Sequence, residues 1–160
     1  MGRISENNPR YRTKDEMVRD VAIALNSGLS YGAKYAVLAN VAWAWTEFDG
    51  KYKGCQRWTK KARQEFDTKN LRHEHAVPKR VVIDMLLKLV NPNENEVRRI
   101  CDHFLLGVVV TIEEDRILNE HFRKVMPNEF AAGSSPDFEN PWLRYLRCNI
   151  EFDAEKQNLV

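Results

Sequence analysis

Two of the four histidines of this 160-residue chain lie two residues apart, in the stretch LRHEHAVPKR at positions 71–80. Side chains alternate between the two faces of a strand, so His73 and His75 would share one face and Glu74 would lie on the other. Imidazole titrates near neutral pH and can accept a proton from water, and a carboxylate can bind a divalent cation. This set of residues suits a metal or proton-transfer site, or alternatively a polar corner without chemistry.

Positive charge is concentrated around these histidines. Residues 51–80 carry ten Lys or Arg against three acidic residues, whereas residues 81–160 carry nine basic and fourteen acidic side chains. This asymmetry predicts a basic face that contacts phosphate groups or, alternatively, a surface that folds back on the acidic half. The candidates for phosphate contact are Lys60, Lys61, Arg63, Arg72, Lys79 and Arg80.

The length and composition predict one compact domain, residues 1–160, with flexible ends at about 1–12 and 151–160. A content of 43% hydrophobic and 30% charged residues is typical of a folded globular protein. No apolar run approaches the roughly 20 residues that cross a bilayer, so no membrane partner is expected. Cys55, Cys101 and Cys148 are widely spaced and form no Cys-x-x-Cys pair, which favours a cytoplasmic location with reduced thiols.

Helical signals dominate the chain and predict an α+β, mostly α-helical fold with about six helices. Residues 32–48 are apolar nearly all round, which is typical of a helix that is central to the core or shared with a partner. A run of β-branched residues predicts a strand at 106–111, and a second short β element is expected near 73–77. Three capping boxes predict helix starts, at Thr13 and Glu16, at Asn93 and Glu96, and at Thr111 and Glu114.

A short helix is also expected between the apolar helix and the histidines, with Thr59 as its cap. Trp58, Ala62 and Phe66 recur there at four-residue intervals, which predicts an apolar side of this helix. The basic residues between them would then be exposed.

The stretch from His73 to Pro78, with a histidine shortly before Val-Pro, resembles the opening motif of HNH-type (ββα-metal) nucleases. In that family, a histidine at the end of the first strand activates water for attack on a phosphodiester. The resemblance therefore implies that His75 is the general base and that Glu74 is the catalytic neighbour beside it. It also implies a nucleic-acid substrate, which the basic segment 51–80 would bind.

The same resemblance implies a divalent cation (Mg, Mn or Zn) as cofactor. Residues from Val108 to Asn119 would correspond to the second strand and the helix of the family's motif. The metal ligands would then come from His73, Asp115 and Asn119, of which the last two lie one turn apart on one helix face.

A second spacing on the same predicted helix, Arg116-x-x-x-x-His121, resembles the motif of HEPN ribonucleases. In those all-helical proteins arginine and histidine cleave RNA without a metal, usually across a dimer. The resemblance implies a metal-independent ribonuclease and allows a homodimer.

The third interpretation is a protein without enzymatic activity. A small chain with a basic face, an acidic half and an apolar tryptophan-containing helix can function by binding alone. It would be a phage or mobile-element accessory protein that inhibits or regulates a nucleic-acid-processing complex, with nucleic acid or a protein as its partner. No cofactor would then be needed.

Overall fold

The structure, a computed structural model, describes residue 8 and residues 10–153. This part of the chain forms seven α-helices and one two-stranded sheet, which confirms the predicted α+β, mostly α-helical class. The helices are α1 (Lys14–Asn26), α2 (Tyr31–Thr46), α3 (Lys60–Gln64), α4 (Lys79–Leu87), α5 (Glu94–Phe104), α6 (Ile112–Phe122) and α7 (Leu143–Arg147). The strands are β1 (Leu71–His75) and β2 (Gly107–Thr111), and short 3-10 turns lie at Thr68–Asn70 and Asn128–Ala131. Within the described residues, no helix combines the length and the apolar character needed to span a bilayer.

All three predicted capping boxes are confirmed. At the start of α1, α5 and α6, the side chain of the N-cap residue accepts a hydrogen bond from the backbone N–H of the glutamate three residues later. The carboxylate of that glutamate accepts a hydrogen bond from the backbone N–H of the N-cap residue. Each box satisfies N–H groups that have no partner inside the helix. The helix starts are therefore fixed by local chemistry.

The predicted apolar side of the third helix is wrong at Phe66. Helix α3 ends at Gln64, and Phe66 lies beyond it with its side chain 99% exposed, whereas Ala62 is fully buried. Beyond the helix, Asp67 caps the following 3-10 turn, where its side chain accepts from the backbone of Lys69.

Three apolar clusters surround the sheet, the smallest of which is formed by Ala62 of α3, Leu71 of β1 and Val109 of β2. The largest one is formed by α1, α2, α4 and α5, and Trp45 of α2 is buried in it. The second joins Val108 and Val110 of β2 to Leu118 of α6 and Tyr145 of α7. The sheet thus lies between α2 with α3 on one side and α6 with α7 on the other.

The two strands are antiparallel, and His73, Glu74 and His75 lie opposite Val109, Val108 and Gly107. Helix α6 follows β2 directly and packs against both strands. The chain therefore contains the order strand, strand, helix, although α4 and α5 are inserted between the strands.

Of the segments expected to be flexible ends, only residues 8, 10–12 and 151–153 are described. Residues 151–153 pair with the segment before α3. The backbone of Lys60 donates to Glu151 at 2.9 Å, and Asp153 donates to Trp58 at 3.0 Å.

Candidate functional site

His75 lies under helix α2. The residue is 5% exposed, and its ring packs edge-on against Trp43 with the ring centroids 4.9 Å apart. Its Nε2 atom lies 3.3 Å from the hydroxyl of Thr46. Burial lowers the pKa of His75 to about 3, with smaller contributions from nearby positive groups. At neutral pH the imidazole is uncharged, but a base with so low a pKa is a poor acceptor for a proton from water.

His73 lies on the same side of β1 as His75. Both of its ring nitrogens are buried and have no hydrogen-bond partner among the described residues, and burial lowers its pKa. The ring lies over Gly107, where a Cβ atom would be 2.4 Å from Nε2 of His73. Glycine at position 107 is therefore what leaves room for this imidazole.

Glu74 points to the opposite side, where Arg144 of α7 holds it. The Nη2 atom of Arg144 donates to the Glu74 carboxylate at 2.8 Å and to the carbonyl of His75 at 2.6 Å. The same guanidinium donates to the carbonyls of Ala76 at 3.1 Å and Phe122 at 2.9 Å. Arg144 is fully buried, so its charge is balanced by Glu74 and by these carbonyl dipoles.

Asp115 of α6 lies on the Glu74 side of the strand. Burial raises the pKa of Glu74, Arg144 opposes that rise, and the charge of Asp115 adds to it. The amide of Asn119 donates to the carbonyl and to the carboxylate of Asp115, at 2.8 and 2.9 Å. The structure thus brings Glu74 to the side of the sheet that holds Asp115 and Asn119.

The expected metal-binding set is divided by the strand. His73 faces α2, whereas Glu74, Asp115 and Asn119 belong to the other face, and the Glu74 carboxylate is already bonded to Arg144. In the described part of the chain, no group of three or more His, Cys, Asp or Glu side chains is arranged to hold a metal ion. These residues therefore do not fit a single-metal centre in this arrangement.

Four of the six basic residues expected to contact phosphate are paired with carboxylates. Three partners, Glu151, Glu113 and Asp153, come from the acidic half of the chain, as the alternative interpretation of the charge asymmetry expected. The fourth pair joins Arg80 to Asp84. Arg72 and Lys79 make no ion pair with a described residue. Arg72 donates to backbone carbonyls, and Lys79 lies 4.8 Å above the Trp43 ring.

Arg116 and His121 are both exposed on α6. Five residues correspond to about 140° around a helix, so the two side chains point in different directions within one chain. A shared Arg–His site formed across a dimer stays a prediction.

A comparison with protein-family models, curated proteins and solved structures finds no match to this chain.

Arg144 is the residue that the sequence did not single out. The available signal is its position in WLRYLRC, where Leu143 and Tyr145 flank it and both are buried. An arginine between core residues needs a buried acceptor, because it cannot lose its charge. The acceptor is Glu74, 70 residues earlier in the chain.

Proposed function

We propose that this chain is a nucleic-acid-binding protein built on a strand–strand–helix unit similar to that of HNH nucleases, without a working catalytic metal centre. The observation that carries the proposal is the buried guanidinium of Arg144 on the carboxylate of Glu74. The protein would bind nucleic acid and not cut it.

The arrangement of β1, β2 and α6 supports the nuclease-like part of this proposal. The motif Glu74-His75 ends β1, β2 pairs with it antiparallel, and α6 packs on both strands. Glu114, which is buried, belongs to the capping box of α6 and also accepts from the hydroxyl of Thr59 at 2.7 Å. That bond connects the unit to the basic helix α3.

Electrostatics supports the absence of a metal step. A divalent cation bound at the Glu74 carboxylate, with Arg144 still in place, would lie close to the fixed positive charge of the guanidinium. At 4 Å and an effective dielectric constant near 20, the repulsion is on the order of 8 kcal/mol. The low pKa of His75 also argues against hydrolysis, because the histidine that would act as the general base is buried beneath α2.

Binding would rely on the positive groups that have no carboxylate partner. Arg72 and Lys79 are the members of the expected set that make no ion pair with a described residue. Contacts to phosphate release counterions, so the affinity should fall with salt. We place this activity in the cytoplasm, where Cys55, Cys101 and Cys148, all free thiols, would stay reduced.

The test combines binding with cleavage. Fluorescence anisotropy with labelled 30-mers of DNA and RNA, single-stranded and duplex, is measured at several salt concentrations. We expect binding that weakens with salt, and a salt slope that falls by about 2 in the double variant Arg72→Ala/Lys79→Ala. The matched control is Arg123→Ala/Lys124→Ala, which removes the same charge from exposed positions elsewhere.

The same samples are incubated with Mg²⁺ or Mn²⁺ and, in parallel, with EDTA. We expect intact nucleic acid in every case. Cleavage that needs the metal and disappears in His75→Ala would overturn the proposal in favour of an active nuclease. Absence of binding to all four probes would also overturn it.

A second candidate is an accessory protein that acts through a protein partner. Phe66 favours it, because the residue is 99% exposed while a hydrogen bond from the backbone of Asp67 to the Glu65 carboxylate spans it. This candidate predicts no affinity for nucleic acid, together with a stable complex with a nucleic-acid-processing protein that Phe66→Asp abolishes.

A further inference from the structure

We propose that the outer face of α2 binds single-stranded nucleic acid by stacking unpaired bases on its aromatic rings. This inference rests on the proposed function and names the form of nucleic acid that the protein takes. The surface consists of Tyr31, Tyr35 and Trp43, with Lys79 and Arg80 at its edge, and is called the aromatic face below.

The rings of the aromatic face are accessible and follow one another along the helix. Tyr31 is 61% exposed, Trp43 is 44% exposed, and Tyr35 is half-buried. Tyr31 and Tyr35 have ring centroids 6.4 Å apart, and Trp43 follows two further turns along the helix, about 12 Å from Tyr35. Between them Ala36 is exposed, and its small side chain leaves space beside the rings. Aromatic rings that lie along one basic surface suit the stacking of unpaired bases.

Two of the three rings of the aromatic face have a positive group close to them. The ammonium of Lys79 lies 4.8 Å from the Trp43 ring, and the guanidinium of Arg80 lies 6.0 Å from the Tyr35 ring. A base can therefore stack on a ring while its phosphate meets the neighbouring cation. Arg80 also forms an ion pair with Asp84, so Lys79 is the stronger candidate for the phosphate contact.

The surroundings of the aromatic face favour an anionic partner. Residues 21–46 contain no acidic side chain, and their one lysine, Lys34, donates to the carbonyl of Leu25. A second copy of this chain docked on the same helix would bring its own Lys79 and Arg80 toward these cations. Like charges at an interface are unfavourable, whereas a phosphate backbone neutralises them.

Stacking on the aromatic face should also make the protein bind single strands more tightly than duplexes. The bases of a duplex already stack on each other, so a ring outside the helix reaches only phosphate and sugar. The faces of single-stranded bases are open and gain about 1–3 kcal/mol for each aromatic partner. The aromatic face should therefore discriminate by strand form and only weakly by sequence.

The experiment uses the full chain with three labelled probes, namely a 15-mer of deoxythymidine, an abasic 15-mer with the same phosphates, and a blunt 15-base-pair duplex. The variant is Trp43→Leu, which keeps an apolar side chain against His75 but removes the aromatic ring. The control is Phe138→Leu, the same kind of change at a ring that is 46% exposed in the acidic half. Thermal unfolding of each variant verifies that it is folded.

We expect wild type to bind the thymidine 15-mer most tightly. Trp43→Leu should weaken that complex about tenfold, which corresponds to about 1.4 kcal/mol, and leave the abasic and duplex probes unchanged. Tyr35→Leu should have the same selective effect, and Phe138→Leu should have none.

Two results would overturn the inference in different ways. If nucleic acid binds but neither Trp43→Leu nor Tyr35→Leu changes the preference for the thymidine probe, the aromatic face is not the site and the proposed function stands. If no probe binds, both proposals fail. A homodimer that Trp43→Leu dissociates, in a protein that binds no probe, would assign the aromatic face to a second copy instead.

Discussion

The two faces of β1 carry polar side chains in opposite conditions. Toward α2, the two buried ring nitrogens of His73 have no partner among the described residues, and Nε2 of His75 lies 3.3 Å from the hydroxyl of Thr46. Toward α6 and α7, Glu74 is bonded to Arg144, whose guanidinium makes three further hydrogen bonds. Residues adjacent in the sequence thus belong to two separate environments, and the pattern His-Glu-His does not by itself form one site.

The difference has energetic consequences. A buried polar group without a partner costs about 1–3 kcal/mol, whereas a buried ion pair with all its bonds made is costly chiefly when one partner is removed. The ion pair on the Arg144 face should therefore be essential for the fold. The histidines on the other face should lower the stability of the fold without preventing it from forming. Each of the following predictions changes one face and measures the free energy of unfolding.

The largest effect is expected for Arg144→Met. It leaves the partly buried Glu74 carboxylate without its counterion and three carbonyls without their donor, so unfolding should become easier by about 3–5 kcal/mol. Chemical denaturation measured by circular dichroism gives this value. The matched control is Arg147→Met on the same helix, whose side chain is 47% exposed and pairs with Glu129. An exposed pair is worth at most about 1 kcal/mol. Equal stability of the two variants would contradict the role assigned to Arg144.

The sequence predicted the local half of this comparison well. The strand period places His73 and His75 together and Glu74 apart, and Thr111 with Glu114 predicts the start of α6; the structure confirms both. Such features depend on residues within four positions of each other, and their physics is local.

What covers each face was not predictable in the same way. Trp43 and Thr46 enclose His75 from a helix about 30 residues earlier, and Arg144 reaches Glu74 from 70 residues later. The charge asymmetry gave two equal alternatives for the same reason, since only the fold decides that Lys60 meets Glu151. These contacts depend on tertiary packing, which neither periodicity nor capping encodes.

Gly107→Ala should have the second largest effect, and it acts on the histidine face. The new Cβ would be 2.4 Å from Nε2 of His73 and 3.0 Å from the carbonyl of Thr46. Overpacking of this kind destabilises by about 2–3 kcal/mol. Removal of the ring should relieve most of the clash, so Gly107→Ala should cost much less in a His73→Ala background than in wild type.

The control for this cycle is Gly133→Ala, because a Cβ at position 133 has no atom within 4 Å. It should change the unfolding free energy little. If the new Cβ instead clashes mainly with the carbonyl of Thr46, Gly107→Ala should lower the free energy of unfolding equally in wild type and in the His73→Ala background.

The smallest effect is a dependence of stability on pH, and it sharpens the contrast between the faces. In the fold, burial keeps His75 neutral down to a pKa of about 3, whereas the unfolded chain binds that proton near its ordinary pKa of 6.5. Protons therefore favour the unfolded state as the pH falls below about 6.5, and the loss is complete near pH 3. Between pH 7 and pH 5 it should amount to about 2 kcal/mol. The lowered pKa of His73 acts in the same direction.

The measurement is urea denaturation at pH 7 and pH 5 for wild type, His75→Gln and His121→Gln. Glutamine can still hydrogen-bond to Thr46 but does not titrate, so His75→Gln should lose about 2 kcal/mol less than wild type over this interval. His121→Gln changes an exposed histidine of α6 and should follow wild type. If wild type and His75→Gln lose the same amount, His75 takes up its proton in the fold, and water reaches the α2 side of the strand. That result would make the two faces chemically alike and return His75 to the candidates for a general base.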